Sequence, residues 1–197
     1  MFKTHNLRCG HSKKGFLQIG SRQLLAPITF LFGRNGAGKT TFLRVLSGVL
    51  SPTEGSLEST DAPLFLSAQN SIQFGMCGND LRDLLSIETS PWFSSKIFGA
   101  LEVDRLLDIP LENLSSGEVQ RVRLACSLSH KTSTLILDEP LSHLDWSYGF
   151  ELQKIIQGMI KKGRTFVVSS HDFNWALAFE EAEAIVIDMG EVIFQGS

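Results

Sequence analysis

The sequence predicts an α/β fold in which helices cover a mostly parallel β-sheet. Three apolar runs, Ile28–Phe32, Thr134–Leu137 and Thr165–Val168, are short and rich in β-branched or aromatic residues, as expected of strands buried on both faces. Polar or glycine-rich residues follow each run at once, and segments of helical periodicity separate the runs. Because ligands of such sheets bind beyond the carboxyl ends of the strands, we expect these polar residues to share one crevice.

The remaining elements follow from the apolar periodicity along the chain. The residues ahead of Ile28 are expected to add a small antiparallel β part at the N-terminus, and Val192–Phe194 is the last predicted strand. Apolar positions at helical spacing predict four clear helices. These helices are expected at Thr41–Leu50, Val119–Leu128, Tyr148–Ile160 and Phe173–Glu181.

The length of 197 residues favours one domain with one sizeable core. Between residues 70 and 110, apolar residues recur at helical spacing without a buried strand among them, which indicates a small helical insert. We therefore expect residues 1–197 to form a single domain. In this division, residues 1–69 and 111–197 build the β core, including the helix that starts in the segment LSSGEVQR, and residues 70–118 build the helical insert.

Composition and charge exclude several classes of function. The chain is 43% hydrophobic and 20% charged with a formal net charge of −3, so it lacks the basic surface expected of a nucleic-acid-binding protein. No apolar run approaches the roughly 18 residues that suit a membrane span, and the start of the chain lacks a signal peptide's apolar stretch. Cys9, Cys77 and Cys126 are too widely spaced to suggest a zinc site or a disulfide framework. We expect a cytoplasmic protein, for which any role at a membrane would have to come through a partner.

The segment GRNGAGKT fits the phosphate-loop pattern G-x-x-x-x-G-K-T and lies between a predicted strand and a predicted helix. Glycines let the backbone approach a ligand closely, so that successive N–H groups and the helix N-terminus converge on phosphates. Lys39 is expected to place a positive charge beside the β- and γ-phosphates, and the Thr40 hydroxyl to ligate Mg²⁺. The residues expected to bind nucleotide here are Gly33, Arg34, Asn35, Gly36, Ala37, Gly38, Lys39, Thr40 and Thr41.

Two carboxylates, Asp138 and Glu139, directly follow the apolar run Thr134–Leu137. Asp138 is placed to hold a metal ion, and Glu139 to polarise an attacking water molecule. His171 lies just past the third apolar run and could donate a hydrogen bond to a γ-phosphate, while the Gln69 amide could hold the attacking water or the metal. Considered singly, the carboxylates also suit an aspartate-capped turn, and a histidine at a strand end is often structural.

The segment LSSGEVQR, residues 114–121, combines serines and glycine at a predicted helix start. No His or Cys lies nearby in the sequence to turn a serine into a nucleophile. One interpretation is an ordinary helix start capped by Ser115 or Ser116, with Glu118 close to it. Another is a helix start that also contacts a ligand. Spacing alone does not choose between the two.

Taken in order, these motifs resemble the nucleotide-binding subunit of ABC transporters over nearly the whole chain. The matching elements are the glycine loop at residues 33–40 (Walker A), Gln69 (Q-loop), LSSGE at 114–118 (signature), LILDEP at 135–140 (Walker B), Ser142–Asp145 (D-loop) and His171 (switch histidine). The resemblance implies a P-loop NTPase core, with the signature at the start of a helix in the helical insert, and ATP and Mg²⁺ as cofactors. It also implies that Glu139 is the catalytic base. The residues implied to act with it are Lys39, Gln69 and His171, and those implied around the metal are Thr40, Gln69 and Asp138.

The resemblance also assigns a role to LSSGEVQR. In this family, two subunits dimerise head to tail, and the signature of one subunit faces the ATP held by the glycine loop of the other. Ser115 and the backbone around Gly117 would therefore contact a γ-phosphate in trans, and Asp145 of the D-loop would belong to the same nucleotide site. His11 stands where the family usually places the aromatic residue that stacks on adenine. The signature LSSGE departs from the common form LSGGQ at its third and fifth positions.

The function implied by the resemblance is that of a subunit that binds and hydrolyses ATP and powers a separate membrane permease from its cytoplasmic face. The phrases DEPLSHLDWSYGFEL and SSHDFNWALAFEEAEAIVIDMGEVIFQG are similar to the ATPases of iron-siderophore, haem and cobalamin importers. The expected partners are a second ATPase subunit, in a homodimer, transmembrane permease subunits and a substrate-binding protein, but not nucleic acid. A short exporter ATPase of the haem-export type and a soluble ABC ATPase outside transport are the alternatives.

Overall fold

A computed structural model describes residues 1–10, 16–67, 75–84 and 91–197, with the backbone alone at residues 91–94. The described chain forms two compact units. The first, here called the β unit, comprises Met1–Phe65, Thr132–Glu139 and Met159–Ser197. The second, here called the helical unit, comprises Leu66–Lys131 and Pro140–Gly158. The division of the chain into a core and an insert at residues 70–118 stays a prediction.

The described strands form one mixed sheet. In chain order they are β1 (Phe2–Cys9), β2 (Leu17–Leu24), β3 (Ile28–Phe32), β4 (Glu54–Ser59), β5 (Leu64–Ser67), β6 (Thr134–Asp138), β7 (Thr165–Ser169), β8 (Ala182–Asp188) and β9 (Glu191–Gly196). Their order across the sheet is β4-β1-β2-β9-β8-β3-β7-β6-β5. This arrangement confirms the predicted α/β class with a mostly parallel sheet and an antiparallel part.

Helices lie in all four predicted places, but the helix predicted over Thr41–Leu50 ends at Leu46. The described helices are α1 (Lys39–Leu46), α2 (Gly78–Leu84), α3 (Pro91–Ala100), α4 (Ser116–Ser129), α5 (Trp146–Ile160) and α6 (Phe173–Ala176), with a 3₁₀ turn at Leu111–Asn113. The prediction of a helix over Phe173–Glu181 was wrong in its length. The helix α6 ends at Ala176 because the chain must turn to enter β8, whose first residue, Ala182, pairs with Ile28 of β3.

The centre of the sheet is parallel and buried on both faces. Strand β3 pairs in parallel with β7 and β8, and β7 pairs in parallel with β6. On one face, Leu31 of β3 lies in the core with Phe42 and Leu43 of α1. On the other face, the Phe30 ring packs edge-on against Trp175 of α6, with ring centroids 5.6 Å apart. The three apolar runs are thus confirmed as neighbouring strands, whose carboxyl ends meet at one edge of the sheet.

The N-terminal strands form the predicted antiparallel part. Strand β1 pairs antiparallel with both β2 and β4. Its buried residues alternate with exposed or half-buried ones, as expected of a strand with one face on the core. The alternation shifts at Asn6, which has a positive φ of 47° and lies where the β1–β2 register is irregular. Burial of Phe2, Leu7 and Cys9 in the core fixes this register.

In the helical unit, α4 packs against α2 and α3. Ile97 and Phe98 of α3 and Val122 of α4 are almost completely buried. Arg121 of α4 donates a hydrogen bond of 2.8 Å to the carbonyl of Leu101. Among the described residues, no helix combines the length and the apolar character that crossing a membrane requires.

Candidate functional site

The glycine loop joins β3 to α1, and the Lys39 side chain forms hydrogen bonds with two carbonyl groups of the loop. The Lys39 ammonium Nζ donates to the carbonyl of Gly33 at 2.8 Å and to that of Arg34 at 3.4 Å. The Ala37 N–H also donates to the Arg34 carbonyl, at 3.1 Å. Lys39 is only 7% exposed, so its ammonium lies inside the loop, where an entering phosphate can replace the carbonyls as its partner.

Three glycines allow this loop to take its shape, but for different reasons. Gly33, Gly36 and Gly38 have φ values of 151°, 79° and 109°, which side chains rarely adopt. A Cβ at Gly33 would collide with the backbone carbonyl of Ile187. A Cβ at Gly38 would lie 3.3 Å from the ring of Phe16, whereas a Cβ at Gly36 would meet no atom within 4 Å. Packing therefore requires glycine at Gly33, while backbone conformation alone favours it at Gly36.

This difference predicts the stability of two variants. Gly33→Ala is expected to lower the free energy of unfolding by about 3 kcal/mol, because the new Cβ strains φ and displaces the Ile187 carbonyl. Gly36→Ala is the matched control, with a loss of about 1–2 kcal/mol from backbone strain alone. Urea unfolding followed by circular dichroism measures both values. Equal losses would contradict the assigned contact between Gly33 and Ile187.

Asp138 ends β6 and is held by two hydroxyl groups. Thr40 Oγ1 donates to Asp138 Oδ2 at 2.8 Å, and Ser169 Oγ donates to Asp138 Oδ1 at 2.6 Å. Ser169 Oγ in turn accepts the N–H of Glu139 at 2.9 Å. Asp138 is only 5% exposed, so these hydrogen bonds fix its carboxylate beside the start of α1. The sequence analysis missed Ser169, although its position as the last residue of a buried strand could have indicated it.

Glu139 brings its carboxylate to Lys39 and His171. Glu139 Oε1 lies 2.9 Å from His171 Nε2 and 3.7 Å from Lys39 Nζ. Lys39 Nζ lies 3.4 Å from His171 Nε2. Glu139 has a left-handed φ of 51°, which costs about 1–2 kcal/mol for a residue with a Cβ. Strain of this kind accumulates at functional sites, and here it accompanies the meeting of three polar side chains that the sequence analysis assigned to catalysis.

The electrostatic environment makes Glu139 a stronger base than an ordinary glutamate. Burial raises the pKa of its carboxyl group, and the neighbouring His171 and Lys39 offset part of this rise. Glu139 Oε1 is buried, and its contact with His171 Nε2 is short without meeting the geometry of a hydrogen bond. Glu139 Oε1 is thus buried beside both Lys39 and His171.

The oxygen atoms of Thr40 and Asp138 fit Mg²⁺. Both are hard ligands, and the 2.8 Å between Thr40 Oγ1 and Asp138 Oδ2 brings them to one point at the start of α1. Among the described residues, no group of three or more His, Cys, Asp or Glu side chains is arranged to hold a metal. This chemistry suits Mg²⁺, which usually takes one or two protein ligands together with water and substrate phosphates.

The segment LSSGEVQR starts α4 in the helical unit with a complete capping box. Ser115 is the N-cap, and its Oγ accepts the Glu118 N–H at 3.3 Å. Glu118 Oε2 accepts the Ser115 N–H at 2.8 Å and the Ser115 hydroxyl at 2.7 Å. These hydrogen bonds hold the pKa of Glu118 below its usual value. Glu118 thus stabilises the helix start, and Ser116, as the first helical residue, is exposed and tolerates a side chain.

Gly117 and Asp145 lie in the same helical unit as Ser115. A Cβ at Gly117 would lie 2.8 Å from the carbonyl of His143, so the backbone of α4 approaches the predicted D-loop closely. His143 has a left-handed φ of 65°. Asp145 is exposed, and its carbonyl accepts the Gly149 N–H at 3.1 Å in the first turn of α5. Within this unit, the predicted signature and D-loop are therefore neighbours.

Two predicted site residues, His11 and Gln69, lie outside the described residues. The structure instead places the half-exposed ring of Phe16 beside the glycine loop, a contact that the sequence analysis did not assign. The remaining predicted site residues are divided between the two units. The β unit contains Gly33–Thr41, Asp138, Glu139 and His171, and the helical unit contains Ser115, Gly117 and Asp145.

Comparisons with known proteins agree with this geometry. The model of the ABC transporter family matches residues 25–142. The hemin import ATP-binding protein HmuV of Photobacterium damsela subsp. piscicida is 27% identical, over 98% of this chain and 85% of its own length. The aliphatic sulfonates import ATP-binding protein SsuB 3 of Pseudomonas savastanoi pv. phaseolicola is 32% identical, over 91% and 72% of the two lengths. The solved structure of an ATP binding subunit of an ABC transporter has a TM-score of 0.87 at 18% identity, over 100% of this chain and 90% of that chain.

The family match covers more than half of the chain. It includes the glycine loop, the capped start of α4 and both carboxylates at the end of β6. The β unit independently joins a phosphate loop to a buried aspartate and to a glutamate beside Lys39. This chain therefore belongs to the ABC transporter family and is an ATP-binding, ATP-hydrolysing subunit of that family.

Proposed function

We propose that the chain holds ATP on its glycine loop, hydrolyses it with Glu139 as the general base, and works in a head-to-tail dimer that drives a separate membrane permease. The meeting of Lys39, Glu139 and His171 beyond the carboxyl ends of β3, β6 and β7 supports this proposal most directly. It unites a cation for phosphate, a base for water and an imidazole for the γ-phosphate within 4 Å of one another.

The glycine loop and Lys39 bind the phosphates in this proposal. Backbone N–H groups of residues 33–41 and the N-terminus of α1 face the negative charge. Lys39 exchanges the carbonyls of Gly33 and Arg34 for oxygens of the β- and γ-phosphates. His11 stacks on the adenine. Bound Mg²⁺, held by Thr40, Asp138 and Gln69, would neutralise negative charge on the β- and γ-phosphates.

Glu139 accepts a proton from the attacking water molecule. Its raised pKa favours this transfer. His171 and Lys39 both contact the Glu139 carboxylate, so they also hold it in place. His171 then donates to a γ-phosphate oxygen, and Gln69 positions the water or the metal.

The signature serves the ATP of a second copy of the chain. Ser115 is exposed at the N-terminus of α4, where helix N–H groups and the helix dipole favour an anion. In this structure its hydroxyl donates to Glu118, and a γ-phosphate oxygen is a competing acceptor of the same chemistry. The backbone around Gly117 and the D-loop residue Asp145 complete the surface offered to the second chain.

The transported substrate is proposed to be a metal chelate such as an iron siderophore, haem or cobalamin. The similarity to a hemin import ATPase along 98% of the chain supports this choice, and the similarity to a sulfonate import ATPase is the main competitor. Permease subunits, and a substrate-binding protein that delivers the chelate, would complete the importer. The ATPase would then lie on the cytoplasmic face of the membrane.

Purification of the native complex tests this assignment. The tagged chain is isolated from detergent-solubilised membranes, co-purifying proteins are identified by mass spectrometry, and the complex is reconstituted in vesicles. We expect permease subunits, and ATP hydrolysis that rises with a ferric siderophore, haem or cobalamin but not with an aliphatic sulfonate. Absence of a membrane protein would contradict a role in transport, and stimulation by the sulfonate would contradict the proposed substrate.

A further inference from the structure

The His171 ring lies at the site with little packing of its own. Half of its side chain is exposed, yet Nε2 lies 2.9 Å from Glu139 Oε1 and 3.4 Å from Lys39 Nζ. Which rotamers of His171 reach Glu139 depends on where the backbone places its Cβ, and the half-exposed ring has little packing to compensate for a shift of that backbone. The contacts that hold residues 170–173 therefore decide how often the imidazole is in place.

Hydrogen bonds hold the segment on both sides of His171. The Ser170 N–H donates to the carbonyl of Leu31 in β3 at 3.2 Å. The Asp172 N–H donates to Ser170 Oγ at 3.0 Å, and Asp172 Oδ1 caps α6 by accepting the Trp175 N–H at 3.1 Å. Apart from the bond to Leu31, these contacts are local to the segment and do not fix it against the glycine loop.

Phe173 supplies a contact between this segment and the strand that leads into the glycine loop. Its ring stacks on that of Phe32, with centroids 4.1 Å apart and planes inclined by 18°. Phe32 is buried and directly precedes Gly33, whose carbonyl accepts a hydrogen bond from Lys39. The stack therefore joins the backbone two residues after His171 to the backbone one residue before the loop.

The exposure of Phe173 makes packing in the core an insufficient reason for its aromatic ring. The residue is 59% exposed, whereas Trp175 and Phe179 of the adjoining aromatic cluster are 7% and 6% exposed. An exposed phenylalanine contributes little to core stability, but an offset-stacked pair has a defined geometry that an aliphatic side chain does not reproduce. We propose that Phe173 is a positioning residue that keeps His171 at Glu139 through its stack on Phe32. This proposal rests on the role assigned to His171 above.

The position of the imidazole is tested directly by NMR, independently of activity. The chain has five histidines, so the Hε1 signals are few, and the His171 signal is assigned by its disappearance in His171→Gln. Phe173→Ala is expected to shift the His171 signal while the other histidine signals stay in place. Leu177→Ala, which removes an 82% exposed side chain just past α6, is the matched control and is expected to shift none of them. An unchanged His171 signal in Phe173→Ala would overturn the proposal.

Kinetics provide the second measurement. Phe173→Ala is expected to lower kcat for ATP hydrolysis by about five- to tenfold, the rate factor that corresponds to the interaction free energy of one aromatic pair. The KM for ATP is expected to change by less than about twofold. Phe173→Tyr retains the stack and is expected to restore kcat, whereas Phe173→Leu is not. Equal recovery by tyrosine and leucine, or an equal loss in Leu177→Ala, would overturn the role of the stack. A normal kcat in His171→Gln would instead contradict the proposed function while leaving the NMR result intact.

Discussion

Replacing Glu139 with glutamine is expected to reduce ATP hydrolysis by about a hundredfold or more, because a general base typically contributes that factor. ATP binding is expected to stay within a few-fold of the parent, since the glycine loop and Lys39 are unchanged. Phosphate release gives the hydrolysis rate, and calorimetric titration gives the affinity. Light scattering should also reveal an ATP-bound dimer, because a nucleotide that is bound but not cleaved keeps two chains together.

The melting temperature of Glu139→Gln shows whether its loss of hydrolysis is caused by unfolding. Burial raises the pKa of Glu139, so the folded environment disfavours its charged form on balance and a neutral amide removes that penalty. The melting temperature of Glu139→Gln is therefore expected to equal or exceed that of the parent. Glu181→Gln, at an exposed glutamate of the same unit, is the matched control and should hydrolyse ATP normally. Parental hydrolysis by Glu139→Gln would show that Glu139 is not the base.

Lys39→Ala is expected to weaken ATP binding by about ten- to a hundredfold, the range of a lost hydrogen bond to a charged group. The buried ammonium is the cation inside the glycine loop, and its removal also deletes the bonds to the Gly33 and Arg34 carbonyls. Calorimetric titration with ATP measures the loss. Hydrolysis measured at saturating ATP should also fall, because the same ammonium lies near Glu139 and is proposed to face the γ-phosphate.

A charge-matched control distinguishes a specific contact from general attraction. Arg44→Gln removes one positive charge from the last turn of the same helix, α1, away from the glycine loop. Its ATP affinity should stay close to that of the parent, because charges separated by solvent are screened at physiological salt. If Arg44→Gln and Lys39→Ala lose affinity equally, the loop does not bind phosphate through Lys39.

Much of the fold could be predicted because the signals were strong and local. The runs ITFLF, TLIL and TFVV are short, apolar and followed by polar residues, which suits few structures other than buried parallel strands. The length of α6 could not be predicted in this way. Residues 177–181 continue an apolar pattern, but pairing of Ala182 with Ile28 requires the chain to turn there. A contact distant in sequence thus overrides the helical periodicity.

The candidate site was predictable in its residue types but not in its connections. GRNGAGKT and LILDEP indicated Lys39, Asp138 and Glu139, because each motif matches a residue type to its chemistry. No local pattern predicts the left-handed φ of Glu139, which accompanies its approach to His171. The end of a buried strand could have indicated Ser169, but not the partner of its hydroxyl group. Its link to Asp138 depends on the parallel register of β6 and β7, which pairs these two residues.

The central claim, that the signature of one chain serves the ATP of another, is tested by pairing two defective chains. One carries Lys39→Ala, which disables the glycine loop. The other carries Ser115→Asp, which keeps an N-cap acceptor but opposes a γ-phosphate with a negative charge. Ser115→Asn caps equally well without that charge, and is expected to retain more activity than Ser115→Asp.

ATP hydrolysis by the purified heterodimer, isolated through a different tag on each chain, is the deciding measurement. If signatures act in trans, one of the two sites combines both defects, and the other combines an intact loop with an intact signature. The heterodimer should then hydrolyse ATP well above either homodimer. If each signature serves its own chain, both sites are defective, and a heterodimer as inactive as the two homodimers would contradict the account.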